Sequence, residues 1–370
     1  MEKKVFCRNR QLTVGLKILL LIFILNFSLI ALAQKPDLVD QKDENANIEI
    51  VNKQDWELFS NEEPLKIALT FDRKLFKKNI TKSVYQPAFL SAHINDTVID
   101  RAIRIRARGV SRKILCNFPP IKLNLKDADM DNTQLEDQTT LKIVTHCQNS
   151  EMYQRYIFRE YLVYKMYNLV TDFSFKVRLV QADYIDSNQK QKTITKYGFL
   201  IEHIKALAKR QKCVEVENEK LAQQWMNKDA MALFCVFNYM IGNTDWSVTG
   251  LHNIKLLKSK DIAVPEPYPV PYDFDFSGLV DTDYAIPTEG LGTENVRERV
   301  YVCKCIEETK MYAALDNVFS HKDDFYSLIR DFEFLDKKNK TSIIKFLDEF
   351  FEMEGNERLI KRVFIDGCRQ

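Results

Sequence analysis

The sequence predicts an α+β protein with two lobes: an antiparallel sheet with one long helix in the N-terminal lobe, and mainly helices in the C-terminal lobe. Between residues 65 and 125, apolar and polar side chains alternate in short runs, as in strands with one buried face. Beyond residue 205, apolar side chains recur at the three- and four-residue spacing of amphipathic helices. We therefore place the sheet lobe at residues 63–203 and the helical lobe at residues 204–370.

The predicted strands of the first lobe are separated by turn residues such as Asn95 and Asp96, which favour tight connections. The long helix is predicted at residues 151–170, where aromatic side chains that include Tyr153, Tyr156 and Tyr164 recur at helical spacing. The predicted strands are residues 65–71, 88–94, 98–107, 121–125, 141–145, 175–184 and 193–201.

The second lobe is predicted to be helical apart from two extended segments, residues 253–257 and 268–274. Prolines between residues 265 and 271 stiffen the link between these segments and keep the start of the second one away from a central ladder position. Asn227 suits the N-cap of the helix that follows it. The predicted helices are residues 218–226, 228–241, 295–315, 322–332, 339–353 and 357–364.

The first 33 residues are predicted to be a signal peptide, because a basic lead precedes an apolar run that ends in an A-x-A cleavage pattern. The run is shorter than the ~20 residues that span a bilayer, and it contains Asn26 and Ser28. We therefore expect a mature chain without a transmembrane span, located in the periplasm, at the cell surface or outside the cell. Residues 34–62 are polar and are expected to form a flexible leader.

The charge balance and the cysteines narrow the classes of partner and site. A net charge of +2 favours neither nucleic acid nor an anionic membrane, so no nucleic-acid partner is expected. Cys303 and Cys305 lack the second pair that a zinc site needs. We expect a disulfide between Cys116 and Cys147, and Cys235, which lies in an apolar helical run, is expected to be a buried free thiol.

The most informative feature is an ordered set of acidic and amide side chains. Asp245 follows a Gly-Asn-Thr turn, Asn253 starts an extended segment, and Asp273 ends another. Phosphoryl-transfer enzymes use oxygens in this order to place an acceptor hydroxyl and to hold Mg²⁺. Asp275 projects on the same side as Asp273, and paired carboxylates predict a divalent metal or a raised pKa. The alternatives are a turn Asp, an Asn at a strand start and a capped end of a strand.

Basic side chains in the predicted sheet lobe are candidates for binding phosphate. Arg108 and Arg112 flank a tight turn at Gly109, and guanidinium groups suit phosphate oxygens. Lys122 lies on the strand face opposite the apolar side chains. Alternatively, the arginines cover the sheet edge as a solvated face, and Lys122 and Glu160 are solvated charges on amphipathic elements.

The order of lobes and motifs resembles the protein-kinase-like fold, in particular the secreted CotH kinase-like proteins of the spore coat, over about residues 65–280. The resemblance implies that Lys122, paired with Glu160, holds phosphates of ATP, that Asn253 and Asp273 hold Mg²⁺, and that Asp245 receives or orients the proton of the attacking hydroxyl. The sequence departs from the kinase pattern in two ways. Seven residues, not four, separate Asp245 from Asn253, and a G-x-G-x-x-G loop is missing.

The leading hypothesis is an exported kinase-like protein that binds Mg²⁺ and ATP and transfers phosphate to a hydroxyl of a protein or small molecule. The first alternative is a catalytically inactive, kinase-shaped binding or envelope interaction protein, and the second is a purely structural envelope protein. His146, His203 and His252 are dispersed without metal-ligand spacing, and we expect them to be structural.

Overall fold

A computed structural model describes residues 58–369, except residues 95–96, 132, 134, 136–137 and 218–219. The predicted signal peptide and nearly all of the predicted leader therefore lie outside the described residues. The first strand of the described chain begins at Leu65.

The N-terminal half of the described chain forms a closed β-barrel. Its seven strands follow the order β1-β2-β3-β4-β5-β7-β6 around the barrel. Neighbouring strands are antiparallel, except that β1 runs parallel to β6 and closes the barrel. The strands are β1 (Leu65–Phe71), β2 (Gln86–Ile94), β3 (Thr97–Ala107), β4 (Ile121–Asn124), β5 (Thr140–Val144), β6 (Val177–Asp186) and β7 (Ile194–Ile201).

The predicted fold class, a two-lobed kinase-like fold with an N-terminal antiparallel sheet, is wrong. The described chain has a closed mixed barrel of seven strands, a small separate sheet and helices. The strand positions agree with the alternating pattern, but that pattern shows only which face of each strand is buried. It does not show that the edges of β1 and β6, which are distant in sequence, meet in a parallel pair.

The described chain also contains helices and a small antiparallel sheet. The sheet has the order β10-β9-β8, with β8 (Cys213–Glu215), β9 (Ile254–Ser259) and β10 (Tyr268–Pro271). The helices are α1 (Arg73–Asn79), α2 (Arg112–Leu115), α3 (Glu151–Val170), α4 (Ile204–Arg210), α5 (Lys228–Met240), α6 (Glu308–Ser320), α7 (Lys322–Asp331), α8 (Lys337–Phe351) and α9 (Glu357–Ile360). A short 3₁₀ turn at Gln223–Trp225 lies in the segment predicted as the helix 218–226.

Helix α3 connects the barrel to the helices, because its side chains are buried on several faces. Tyr161 and Tyr164 pack against Phe199 of β7, and Tyr167 packs against Phe237 of α5. Polar residues on such a helix are removed from water along with their apolar neighbours. Glu160, in the middle of α3, is accordingly buried among elements from both halves of the described chain.

Three disulfides link described cysteines: Cys116–Cys147, Cys235–Cys303 and Cys305–Cys368. The first confirms the predicted bridge. The prediction that Cys235 is a free thiol is wrong, since it is bridged to Cys303; among the described residues, the unpaired cysteine is the buried Cys213. The cysteines at 303 and 305 are each tied to a different part of the chain, and helix α6 begins only at Glu308 rather than at residue 295.

The bridges are compatible with an exported protein, because disulfides persist mainly in oxidising compartments. None of the described helices is both long enough and apolar enough to cross a membrane.

Loss of the buried Cys235–Cys303 bridge should lower stability. The two cysteines are 68 residues apart, so replacing both by Ser should lower the free energy of unfolding by about 4 kcal/mol through the regained entropy of the unfolded chain. Denaturant unfolding under non-reducing conditions measures the change. Cys213→Ala, which breaks no bridge, is the matched control, and an equal loss in both variants would contradict the assignment.

Stability should also fall in weak acid through His146. This side chain is fully buried, its Nδ1 has no partner among the described residues, and burial lowers its pKa from 6.5 to about 4. Between these values the unfolded state binds a proton that the folded state does not, so stability is lost as pH falls from 6.5 to about 4. At about 1.4 kcal/mol per pKa unit, the contribution is about 3 kcal/mol.

His146→Gln removes this titration and leaves the other ionisable groups in place. The free energy of unfolding of the variant, measured from pH 4 to pH 7, should therefore depend less steeply on pH than that of the wild type. Parallel pH profiles for the two proteins would show that His146 is not buried in its neutral form.

Candidate functional site

Arg112, at the start of α2, forms ion pairs with carboxylates from two other parts of the chain. Its Nη2 donates to Glu160 Oε2 of α3 at 2.7 Å and lies 3.3 Å from Asp273 Oδ1. Its Nε donates to Asp275 Oδ2 at 2.8 Å, and the Tyr284 hydroxyl donates to the same oxygen at 3.0 Å. We call Arg112, Glu160, Asp273 and Asp275 the Arg112 cluster.

Local sequence and a disulfide place Arg112 in this cluster. Gly109 has a φ of +86°, a conformation that glycine adopts without steric cost, and the chain turns there from β3 into α2. Cys116, directly after α2, is bridged to Cys147, which lies shortly before α3. The bridge therefore holds the short helix that carries Arg112 near the long helix that carries Glu160.

The Arg112 cluster holds three carboxylates around one guanidinium group. Burial raises the pKa of Glu160 to about 8, and the repulsion of Asp275 and Asp273 adds to the effect while Arg112 opposes it. The pKa of Asp273 is also raised, by removal from water and by the repulsion of Asp275. Burial alone would lower the pKa of Arg112, but Asp275 and Glu160 hold it well above its ordinary value. The excess of negative charge favours an additional proton or cation.

Asp245 lies in a loop that a hairpin closes. Its Oδ1 is 2.9 Å from Nε2 of His252, and the Asn253 amide nitrogen donates to its Oδ2 at 2.9 Å and to its backbone oxygen at 2.8 Å. Two backbone hydrogen bonds of 3.0 Å pair Ser247 with His252. The seven residues between Asp245 and Asn253 thus form a hairpin, which returns Asn253 to the aspartate despite the long spacing.

The Asp245 loop is held by buried polar groups at its base. The backbone amide of Asp245 donates to Asn243 Oδ1 at 3.1 Å, and the Asn243 side chain in turn donates to Asn238 Oδ1 of α5 at 2.8 Å. The preceding Gly242 has a φ of +65°, and an added Cβ would lie 3.2 Å from the Phe346 ring. Helix α5 and its close packing therefore fix where Asp245 points.

Asp245, Asn253 and Asp273 lie close to one another in the structure. The Tyr272 amide donates to the Asn253 carbonyl at 3.1 Å, and the carboxylate of Asp245 repels that of Asp273. Asn253 and Asp273 both have left-handed backbone conformations, with φ values of 52° and 62°. The Tyr164 hydroxyl accepts a hydrogen bond from the Asp273 amide at 2.8 Å. Strained backbone of this kind is concentrated at functional sites in proteins.

Arg108 differs from Arg112 in its environment. It is partly exposed, and its guanidinium group makes no hydrogen bond or ion pair with the described residues. Burial lowers its pKa, while the attraction of Asp273 acts in the opposite direction. Arg108 is therefore placed to bind an anion next to Asp273, whereas the guanidinium of Arg112 is already occupied by carboxylates.

Lys122 lies on β4, beside other basic residues of the barrel. It stands between Arg106 and Lys142 in the barrel register, and Glu160, its expected partner, is paired with Arg112. Lys122 is near His203, whose pKa is lowered to about 3 by burial and by several lysines that include Lys122. Lys122 thus belongs to a row of basic side chains on the barrel near His203.

Sequence reasoning missed three side chains at the site: Tyr164, Tyr284 and His252. Tyr164 follows Glu160 by four residues, so both lie on one helix face, and this spacing was a usable signal. Tyr284 contributes through a loop, and no sequence pattern marks it. His252 was expected to be structural, although it directly precedes Asn253 and contacts Asp245.

The residues of the site fit Mg²⁺ bound together with phosphate. Within the described ranges, no group of three or more His, Cys, Asp or Glu side chains is arranged to hold a metal. Mg²⁺, however, is usually held by one or two carboxylates plus phosphate and water oxygens. The Asp273 side chain is 46% exposed beside the buried Asp275, and Arg108 lies near. The amide nitrogen of Asn253 donates to Asp245 and so positions that aspartate, while its oxygen Oδ1 is the atom that would bind a metal.

Removing the central guanidinium should destabilise the fold. Arg112→Met leaves Glu160 and Asp275 buried without their countercharge, and we expect a loss of about 3–5 kcal/mol in the free energy of unfolding. Urea unfolding at neutral pH measures it. Arg104→Met is the control, because its ion pair with Asp127 is exposed and should contribute about 1 kcal/mol or less. Similar losses in both variants would show that the cluster is not important for stability.

Comparison with known proteins adds no family to this description. No protein-family model matches the chain. No curated protein matches it in sequence. The geometry of the site and its chemistry are therefore the basis for any functional conclusion.

Proposed function

We propose that the protein is an exported phosphotransferase that binds Mg²⁺ and ATP and transfers phosphate to a hydroxyl acceptor. The observation that supports this most is the pair of hydrogen bonds from Asn253 to Asp245, together with the backbone hydrogen bond from Tyr272 to Asn253 that brings Asp273 near them. An acceptor-placing aspartate next to a metal-binding aspartate is the arrangement that phosphoryl transfer requires. The proposed resemblance to CotH kinase-like proteins concerns the order of these residues and not the fold.

Each residue of the site has a role in this proposal. Asp273, with Asp275 beside it, would hold Mg²⁺ together with phosphate oxygens of the nucleotide. Arg108 binds a phosphate oxygen, since its guanidinium group has no protein partner among the described residues. Arg112, which is itself paired with Glu160, holds the two aspartates in place. The metal ion would neutralise the negative charge of the phosphate, and Asp245 would direct the acceptor hydroxyl.

The alternative is a catalytically inactive protein that binds nucleotide or another envelope component. One observation favours it: the Asp273 carboxylate already has a positive partner, because Arg112 Nη2 lies 3.3 Å from its Oδ1. A cation at Asp273 has to compete with this guanidinium. Binding without transfer is the expected behaviour if the guanidinium holds the carboxylate away from a productive geometry.

Mg²⁺ with ATP should raise the melting temperature of the protein. At a nucleotide concentration 100 times Kd, the rise should be about 5 °C, because ligand binding stabilises the folded state alone. ATP with EDTA should give no comparable rise if the metal is required. An unchanged melting temperature at millimolar Mg²⁺ and ATP would contradict nucleotide binding and favour a purely structural protein.

Asp273→Ala should abolish this rise and also the transfer of label from γ-labelled ATP. Asp281→Ala is a matched control, because Asp281 also has a left-handed φ, of 58°, and an arginine partner, Arg297, but lies outside the cluster. Nucleotide binding without label transfer in the wild type would favour the inactive alternative. Label that survives Asp273→Ala would refute the metal role of Asp273.

A further inference from the structure

We infer that His252, oriented by Asp245, is the group that takes the proton from the acceptor hydroxyl. This inference rests on the proposed phosphotransferase function and assigns a catalytic residue that the sequence pattern of kinases does not contain. Both oxygens of the Asp245 carboxylate already have hydrogen-bond partners. His252 Nε2 lies 2.9 Å from Oδ1, and Asn253 Nδ2 lies 2.9 Å from Oδ2.

The partners of Asp245 determine which nitrogen of His252 is available. A carboxylate oxygen accepts hydrogen bonds, so Nε2 of His252 carries the hydrogen in this pair. The ring nitrogen Nδ1 then carries a lone pair. No described residue donates a hydrogen bond to Nδ1, and the His252 side chain is 57% exposed. The basic atom that this pair presents to an incoming hydroxyl is therefore an imidazole nitrogen.

The backbone around His252 holds the ring in this orientation. Its amide and carbonyl both bond to Ser247 at 3.0 Å, and the next residue, Asn253, bonds to Asp245. The backbone that carries the ring is thus fixed, and the hydrogen bond to Asp245 orients the ring on it. Aspartate that holds one imidazole nitrogen while the other accepts a proton is a recurrent catalytic arrangement on unrelated folds.

The proposed step balances in atoms and charge. The acceptor oxygen forms a bond to the γ-phosphorus of ATP, and the bond from that phosphorus to the bridging oxygen breaks, with its electron pair leaving on ADP. The hydroxyl proton passes to His252 Nδ1, and the imidazolium formed is stabilised by Asp245. The proton is released to water after the phosphorylated product leaves. A positioned base of this kind contributes about 10²–10⁴-fold in rate.

Chemical rescue tests the inference, with ADP release from Mg²⁺ and ATP as the readout and water as the acceptor. His252→Ala should lower kcat about 100-fold. Added imidazole should restore at least a tenth of the lost rate by supplying the missing base. His93→Ala, a substitution of another exposed histidine on β2, should have no effect and should not respond to imidazole. His252→Gln, which can keep a hydrogen bond to Asp245, should be as slow as His252→Ala.

The melting-temperature rise with Mg²⁺ and ATP, measured on the same variants, separates the possible outcomes. Unchanged kcat in both His252 variants would overturn the inference and leave the proposed function standing. A slow variant that keeps the nucleotide response but is not rescued by imidazole would also overturn it, because His252 would then only position Asp245. A wild-type protein that releases no ADP would overturn the inference together with the proposed function.

Discussion

The Arg112 cluster is the interaction on which the other features of the site depend. Three carboxyl groups meet in a largely buried region, and a cation with several donors between them stabilises this arrangement. A guanidinium group serves this purpose because its donors point in fixed, divergent directions. The same group thus joins the turn after β3, the middle of α3 and the segment after β10, which are remote in sequence.

The two arginines near Gly109 lie in different surroundings. Arg112 is enclosed by carboxylates and acts as part of the framework, whereas Arg108 is partly exposed and keeps its donors available. Two groups of identical chemistry thus differ in whether their donors are already paired with carboxylates. Such a difference is determined by burial and partners, which the amino-acid type alone does not reveal.

Local patterns in the sequence predicted the local structure well and the long-range structure poorly. Alternation located the barrel strands, and helical spacing located α3 at Glu151–Val170, with the bounds that the structure has. Closure of the barrel depends on a parallel contact between β1 and β6, which are far apart in sequence. The late start of α6 accompanies the bridge between Cys303 and Cys235, which are also far apart. Neither feature has a signature within a short stretch of sequence. At the site, the order of Asp245, Asn253 and Asp273 was visible in the sequence. The pairing of Glu160 with Arg112 instead of Lys122 was not, because it is decided by which side chains reach the same buried point.

The bridge between Cys116 and Cys147 has a consequence for when the site can assemble. The helix that carries Arg112 has only four residues, and a helix this short does not hold its shape by itself. Its position is secured on one side by the ion pairs and on the other by a covalent bond that forms only where thiols are oxidised. The electrostatic balance of the cluster is thereby linked to the redox state of the compartment in which the chain folds. Chains that still have reduced thiols would hold the guanidinium less firmly among its acidic partners.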